Sequence, residues 1–288
     1  MLARLADTAR AFDWAANEYD GTVANNALIQ RMRAQVLAQI AQSFPPGARL
    51  LDLGCGTGID AVDLAKRGYR IVAIDSSPGM VQHTRARIAG EGLDERIRAM
   101  RLGIHELDQL QAEPFDGVYS NFGPLNCVPD LRRASREIAR LLKPRGRMIA
   151  SVIGKLCPWE IALYALRGDW QRARFRLASE LVAVPFCDQV IWTRYYSPRE
   201  FYRTFEEDFE WIVLRALNLF MPPPYLIHAY ERHRGLFSGM AFLDDHLGSV
   251  PLLRNLGDHF LIVLQKRDRQ SIFALNCPNA NRNHRSRF

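Results

Sequence analysis

No stretch of this 288-residue chain is apolar for long enough to cross a bilayer as a helix. Its N-terminal stretch carries Asp7, Asp13, Glu18 and Asp20 among apolar positions, unlike the charged-then-apolar pattern of a signal peptide. A cytoplasmic location is therefore expected. Cysteine is sparse: Cys55, Cys127, Cys157, Cys187 and Cys277 are an odd number, with no C-x-x-C pair and no accompanying histidine spacing. A disulfide framework is thus excluded as the basis of the fold, and no metal is expected. Internal repeats and long linkers are also absent. The net charge of +7 does not mark a nucleic-acid binder, because most of it comes from Lys266, Arg267, Arg269, Arg282, Arg285 and Arg287 against Asp268 alone. That polar 267–288 tail, without apolar periodicity, is expected to be disordered and dispensable. RNA binding by it is the alternative.

With 48% apolar residues, a full core can be buried. The most informative stretch is Leu50 to Gly58, LLDLGCGTG, with a short apolar run ahead and the Gly/Pro-free IDAVDLAK behind. Strand, tight glycine turn and helix is the local reading. Gly54, Gly56 and Gly58 lack Cβ atoms, so the backbone can take positive φ and approach a ligand above the strand end. Asp52 places a carboxylate beside the same pocket, which suits a cationic ligand group and not a pyrophosphate. Cys55 reads as a small apolar filler of the turn.

The spacing separates two cofactor classes. A dinucleotide fingerprint is G-x-G-x-x-G/A, and Ile59 stands where its third small residue belongs. Acidic-x-G-x-G-x-G resembles instead the first signature of the class I S-adenosylmethionine-dependent methyltransferases. Tyr69 to Ile74 reads as a second strand ending at Asp75, at about the spacing of a ribose-binding carboxylate. The resemblance implies that Gly54, Cys55, Gly56, Gly58, Asp52, Asp75 and Ser76 surround S-adenosylmethionine and that Met80 packs on its adenine. It also makes FDWAANEYDG, Phe12 to Gly21, part of an N-terminal helical lid over 1–44, with Tyr19 closing over the cofactor. Where many relatives carry an adenine-binding Asp after the third strand, this chain reads LGIHEL, so Ile104 and His105 are the substitutes.

Strands near 49–53, 70–74 and 98–102 alternate with helices near 59–67 and 78–89, and Phe115 to Ser120 reads as a fourth strand. The expected fold is α/β: a doubly wound, mostly parallel, seven-stranded Rossmann-like sheet with helical cap insertions. Leu141 to Gly154 supplies the fifth strand and resembles the family's L-K-P-G-G segment. Tyr196 to Phe201 starts a capped helix, Glu210 to Leu217 a sixth strand, and His259 to Gln265 an antiparallel seventh. The core thus covers 45–154, continues over 196–217 and ends with 257–266. Two insertions, 155–195 and 218–256, are read as substrate caps.

The loop after the fourth strand, Asn121 to Asp130, lacks the N-P-P-aromatic run of amine-directed nucleic-acid methyltransferases. Nucleic acid is not expected as a partner. Asn121 is expected at the cofactor, with Phe122, Asn126, Trp159, Tyr225 and His228 at a small or lipophilic acceptor entering between the caps. His228, His233 and His105 are the candidate general bases. Methyl transfer to such an acceptor is the expected function. A cofactor-binding protein that transfers no methyl group, a nucleotide-dependent oxidoreductase and a tRNA or protein methyltransferase are the alternatives.

Overall fold

The computed structural model describes residues 1–21 and 25–268. Its centre is a seven-stranded sheet built from β1 (Arg49–Leu53), β2 (Arg70–Asp75), β3 (Ile97–Arg101), β4 (Phe115–Ser120), β5 (Leu142–Ile153), β8 (Phe209–Leu217) and β9 (His259–Lys266), in the order β3-β2-β1-β4-β5-β9-β8. The first five strands are mutually parallel and β9 runs antiparallel to both β5 and β8. The order reverses at β1/β4, so the crevice above their C-terminal ends is the natural place for a ligand.

Each face of the sheet is covered, as a parallel sheet requires. On one side, helices α2 (Ala27–Ser43), α3 (Ile59–Lys66) and α4 (Pro78–Gly90) bury Met32, Ile40, Leu64 and Val81 against Leu50, Ala73, Ile149 and Leu261. On the other, α5 (Leu131–Leu141), the short α8 (Pro198–Tyr202) and the turn after it pack Ile138, Phe201 and Phe205 on Val118, Ala150 and Ile262. Ser197 and Glu200 form the capping box that starts α8. Ser77 caps α4 through the Met80 amide, with Pro78 in the first turn.

The 155–195 insertion is only partly helical. After α6 (Pro158–Leu166) and α7 (Trp170–Ala173) comes a hairpin that sequence reading did not foresee, β6 (Val182–Phe186) paired with β7 (Gln189–Thr193). Its two-residue turn places Cys187 and Asp188 at φ 46° and 58°, so a turn signal of Gly or Asn is lacking. Helix α1 (Leu2–Ala15) lies on this hairpin, through Thr8 to the Trp192 amide and a Phe12–Phe186 ring contact. The 218–256 insertion holds α9 (Ile227–Arg232) and α10 (Arg234–Leu247), which bury Phe237 with Leu28, Met221 and Trp159 in a small separate cluster.

Arg267, assigned by sequence to the tail, belongs to the body: its Nε donates to the Phe209 carbonyl at 3.0 Å and its amide to that of Asp208 at 2.8 Å. The rest of the expected tail, from 269 onward, lies outside the described residues. Among the described residues no helix is long and apolar enough to cross a membrane.

Candidate cofactor and acceptor site

The glycine turn forms as its sequence requires. Gly54, Gly56 and Gly58 all have positive φ, at 78°, 54° and 81°, where side chains are disfavoured. Their surroundings differ. A Cβ on Gly56 would meet only the Tyr19 ring, at 3.6 Å, because this residue faces a cavity. At Gly54 it would strike the Pro124 ring at 2.4 Å, and at Gly58 the Thr84 methyl at 2.8 Å. Gly54 and Gly56 line the cavity, whereas Gly58 lets α3 and α4 approach closely.

That cavity, about 620 Å³, lies over the C-terminal ends of β1, β2 and β4 and is roofed by α1 and the β6–β7 hairpin. Its volume is within the usual range for small-molecule sites. Of the sequence-predicted cofactor residues, Tyr19, Gly54, Gly56, Asp75, Ser76, Met80, Ile104, His105 and Asn121 line it. Asp75 accepts the Gly56 amide at 3.0 Å and the Ser77 amide at 2.9 Å. Burial raises its pKa to about 6, partly opposed by those two amides. Tyr19 packs beside Gly56, and burial together with the Asp75 charge pushes its phenol well above the ordinary value.

Two other expected residues sit behind the cavity wall. Asp52 is buried and accepts the Tyr119 hydroxyl at 2.9 Å. Burial, with Asp60 nearby, raises its pKa well above the usual range, so it offers no exposed charge to a ligand. The Cys55 thiol turns away toward Thr84, and burial pushes it up as well. It fills space, as its size suggests.

The expected acceptor residues scatter. Phe122 lines the cavity. Asn126 is fully buried and clamps the loop, donating to the carbonyls of Ile153 and Arg194 at 3.1 and 2.7 Å and accepting the Ile153 amide at 3.0 Å. Trp159 donates to the Phe220 carbonyl at 2.8 Å and packs on Phe237 within the cap cluster. Tyr225 is half exposed, and the His228 side chain is 93% exposed on α9. None of these four borders the cavity. Periodicity could not separate aromatics that pack one cap against another from those facing a ligand. His105 does border it, 3.9 Å from Glu106, whose carboxylate caps the Gly103 amide at 2.8 Å.

Other features were not read from sequence. Asp13 accepts the Gly79 amide at 2.6 Å and the Ser77 hydroxyl at 3.1 Å, Asn17 meets His83 at 3.0 Å, and Asp20 pairs with Arg87 and Thr57. The polar positions of the lid thus clip to successive turns of α4, just beyond the Asp75 strand end. A second network runs from Arg33 to Asp60 at 2.6 Å, then to the Asn121 amide at 2.8 Å, whose carbonyl accepts Ser151 at 2.5 Å. It commits the Asn121 side chain to the protein. Cys157, Glu160 and Asp258 bring three ligand-type atoms together, but the Arg176 guanidinium contacts both carboxylates, at 2.5 and 2.8 Å, making an ion-pair cluster.

The family described as a methyltransferase domain matches residues 50–146, which carry the glycine turn, Asp75 and the β4 loop. Over those residues the core of this chain is similar to a methyltransferase domain. Beyond it, the chain is 34% identical over 143 residues to a demethylmenaquinone methyltransferase of Clavibacter sepedonicus, covering 48% of this chain and 54% of that protein. It is 37% identical over 111 residues to a ubiquinone biosynthesis O-methyltransferase of Xylella fastidiosa (strain 9a5c), covering 38% and 43%. The chain therefore spans about half the length of these relatives, and the methyltransferase domain is the shared part. Among solved structures, the [4+2]-cyclase SpnF superposes with a TM-score of 0.60 at 17% identity, over 90% of this chain and 94% of that one. A geranyl diphosphate methyltransferase in complex with SAM gives 0.54 at 19%, over 86% and 88%. At such identities the likeness is one of fold. The methyltransferase domain's cofactor is S-adenosylmethionine. The cradle fits it, since the open side of Gly56 leaves room that any side chain would fill.

Proposed function

We propose that the chain transfers a methyl group from S-adenosylmethionine to a small or lipophilic molecule. The observation that carries this reading is the character of the one cavity into which the glycine turn and Asp75 open. Beyond the carboxylate its wall is built from Leu5, Phe12, Phe122, Val128, Ile153 and Ile191, an apolar surface suited to a hydrocarbon or aromatic body. Among the described residues its only lining carboxylates are Asp75 and Glu106, too few to hold a polycationic peptide. The names of the quinone-modifying relatives fit the same acceptor character.

When bound, the cofactor supplies an electrophilic methyl on a sulfonium. The protein's task is then alignment and exclusion of water. In this reading Asp75 holds the ribose hydroxyls, Met80 and Ile104 enclose the adenine, and Tyr19 with the latched lid closes the glycine turn from solvent. The test is incubation with methyl-deuterated S-adenosylmethionine and an extract, followed by mass spectrometry of the small-molecule, tRNA and protein fractions. Label in small organic products is expected. Label confined to tRNA or protein would overturn the reading.

A further inference from the structure

Outside the cavity wall, Glu160, Arg176, Asp258 and His259 form a connected ionisable cluster that this reading leaves unused. His259 is buried at the start of β9, with its Nδ1 2.9 Å from Asp258 Oδ2. Asp258 is in turn held by Arg176 at 2.8 Å. Burial alone would raise the Asp258 pKa, but the Arg176 and His259 charges outweigh it and hold the carboxyl well below the usual range. An ionised carboxylate can only accept, so the neutral imidazole carries its proton on Nδ1 and its lone pair on Nε2. No described protein group hydrogen-bonds Nε2.

The direction of the ring is fixed by the sheet. His259 is the cross-strand partner of Ile153, and paired residues project to the same face. Ile153 lines the cavity. The imidazole stands edge-on to Phe122, with ring centroids 6.1 Å apart and planes at 84°, and Phe122 is itself cavity wall. Phe122 rides on the β4 loop at φ 60°. His259 is thus one aromatic ring deep from the acceptor side, next to the Asn121 end of the site. The charged and titratable groups around it are Asp258 at Nδ1, then Arg176, Glu160 and Cys157 beyond that carboxylate, with the Arg33 guanidinium over the Phe122 ring at 5.2 Å.

We propose that His259, oriented by Asp258, is the base that takes the proton from a hydroxyl acceptor, reached when the Phe122 ring swings aside. This rests on the methyl-transfer reading above and narrows its acceptor to a phenol or enol on an apolar body. The hydroxyl O–H bond breaks with its proton passing to Nε2, while the oxygen lone pair forms the bond to the methyl carbon as the carbon–sulfur bond breaks, its electron pair staying on the sulfur of S-adenosylhomocysteine. The imidazolium so formed is met by the Asp258 carboxylate. A phenol needs this help, since its pKa of about 10 leaves it mostly protonated at neutral pH. Arg176 acts through Asp258 and is a positioning residue.

The first test needs no acceptor. In chain labelled with ¹⁵N-histidine and saturated with S-adenosylhomocysteine, His259 is expected as the Nδ1–H tautomer, and Asp258→Asn should convert it to Nε2–H. A neutral wild-type ring protonated on Nε2 would overturn the proposal. The second uses catechol and 1,4-dihydroxynaphthalene as hydroxyl probes with S-adenosylmethionine. His259→Gln is expected to lose at least a hundredfold in kcat with KM for the cofactor unchanged, and its residual rate should climb with pH toward the phenol pKa. Activity within twofold of wild type would overturn it. Should His259→Gln fail to fold, Asp258→Asn carries the same kinetic comparison. If wild type binds S-adenosylhomocysteine but methylates neither probe, the hydroxyl acceptor class is wrong, and the proposed base fails with it. If wild type does not bind S-adenosylhomocysteine, the methyl-transfer reading itself fails.

Discussion

The Asp75 carboxylate accepts the backbone N–H of Gly56 at 3.0 Å, tying the acid at the end of β2 to the turn after β1. One group thus shapes the glycine cradle and presents acceptor oxygens to whatever occupies it. Asp75→Ala should weaken S-adenosylhomocysteine at least tenfold, since hydrogen bonds to a charged partner contribute about 1.5 to 3 kcal/mol each. Isothermal calorimetry checks this, and unchanged affinity would remove Asp75 from the site.

The raised Asp75 pKa of about 6 gives two pH effects of opposite sign. Ribose hydroxyls donate to the ionised carboxylate, so S-adenosylhomocysteine affinity should be flat above neutrality and fall as pH drops through about 6. Without ligand, the folded pKa lies above the unfolded value of about 3.9, so folding takes up a proton between them and stability should rise as pH falls through about 6. Asp75→Asn should flatten both profiles. Calorimetry and thermal melts from pH 5 to 8 read them separately.

The glycines of the turn should separate by readout. Gly56→Val should abolish cofactor binding, because its side chain would enter the cavity beside Tyr19. Gly58→Ala should mainly lower the melting temperature, as its methyl would meet Thr84 at 2.8 Å at φ 81°, a left-handed conformation costing about 1–2 kcal/mol for a non-glycine residue. Equal loss of binding and stability in both variants would contradict the assignment.

The sequence revealed the parallel core because each of its strands is a short apolar run closed by a turn signal, and the glycine spacing and Asp75 mark the β1 and β2 ends locally. The site's outer half was less legible. Asp13 contacts Gly79 across 66 positions of chain, so nothing near Asp13 announces its partner. Trp159 and Phe237 look alike whether they face a ligand or each other, and His259 sits in an apolar strand, DHFLIVLQ, where a buried histidine gives no sign that its neighbour Asp258 is neutralised by Arg176 from a distant cap. The hairpin was missed because its turn residues, Cys187 and Asp188, lack the usual glycine.

Asn126, expected at the acceptor, has its side chain committed to backbone groups of Ile153 and Arg194. Asn126→Ala would leave the part-buried Arg194 carbonyl and Ile153 amide without their side-chain partner, at about 1–3 kcal/mol for each group left unsatisfied. Urea unfolding should show a loss of at least 2 kcal/mol. A stable variant with altered acceptor KM would restore the substrate role.

The lid latch gives a graded effect. Asp13→Ala removes the acceptor of the Gly79 amide and the Ser77 hydroxyl, freeing α1 from the start of α4. Cofactor dissociation should speed severalfold in stopped-flow measurements, while the core melting temperature shifts little. Unchanged dissociation would show that α1 does not cover the cofactor.

On the proposed function, S-adenosylmethionine occupies the cavity over Gly56 and Asp75. The most direct measurement is calorimetric titration of the wild-type chain with S-adenosylhomocysteine and, separately, with NAD. Saturable one-to-one binding of the former, lost in Gly56→Val, and no binding of the latter are expected. Binding of NAD, or S-adenosylhomocysteine binding that survives Gly56→Val, would contradict it.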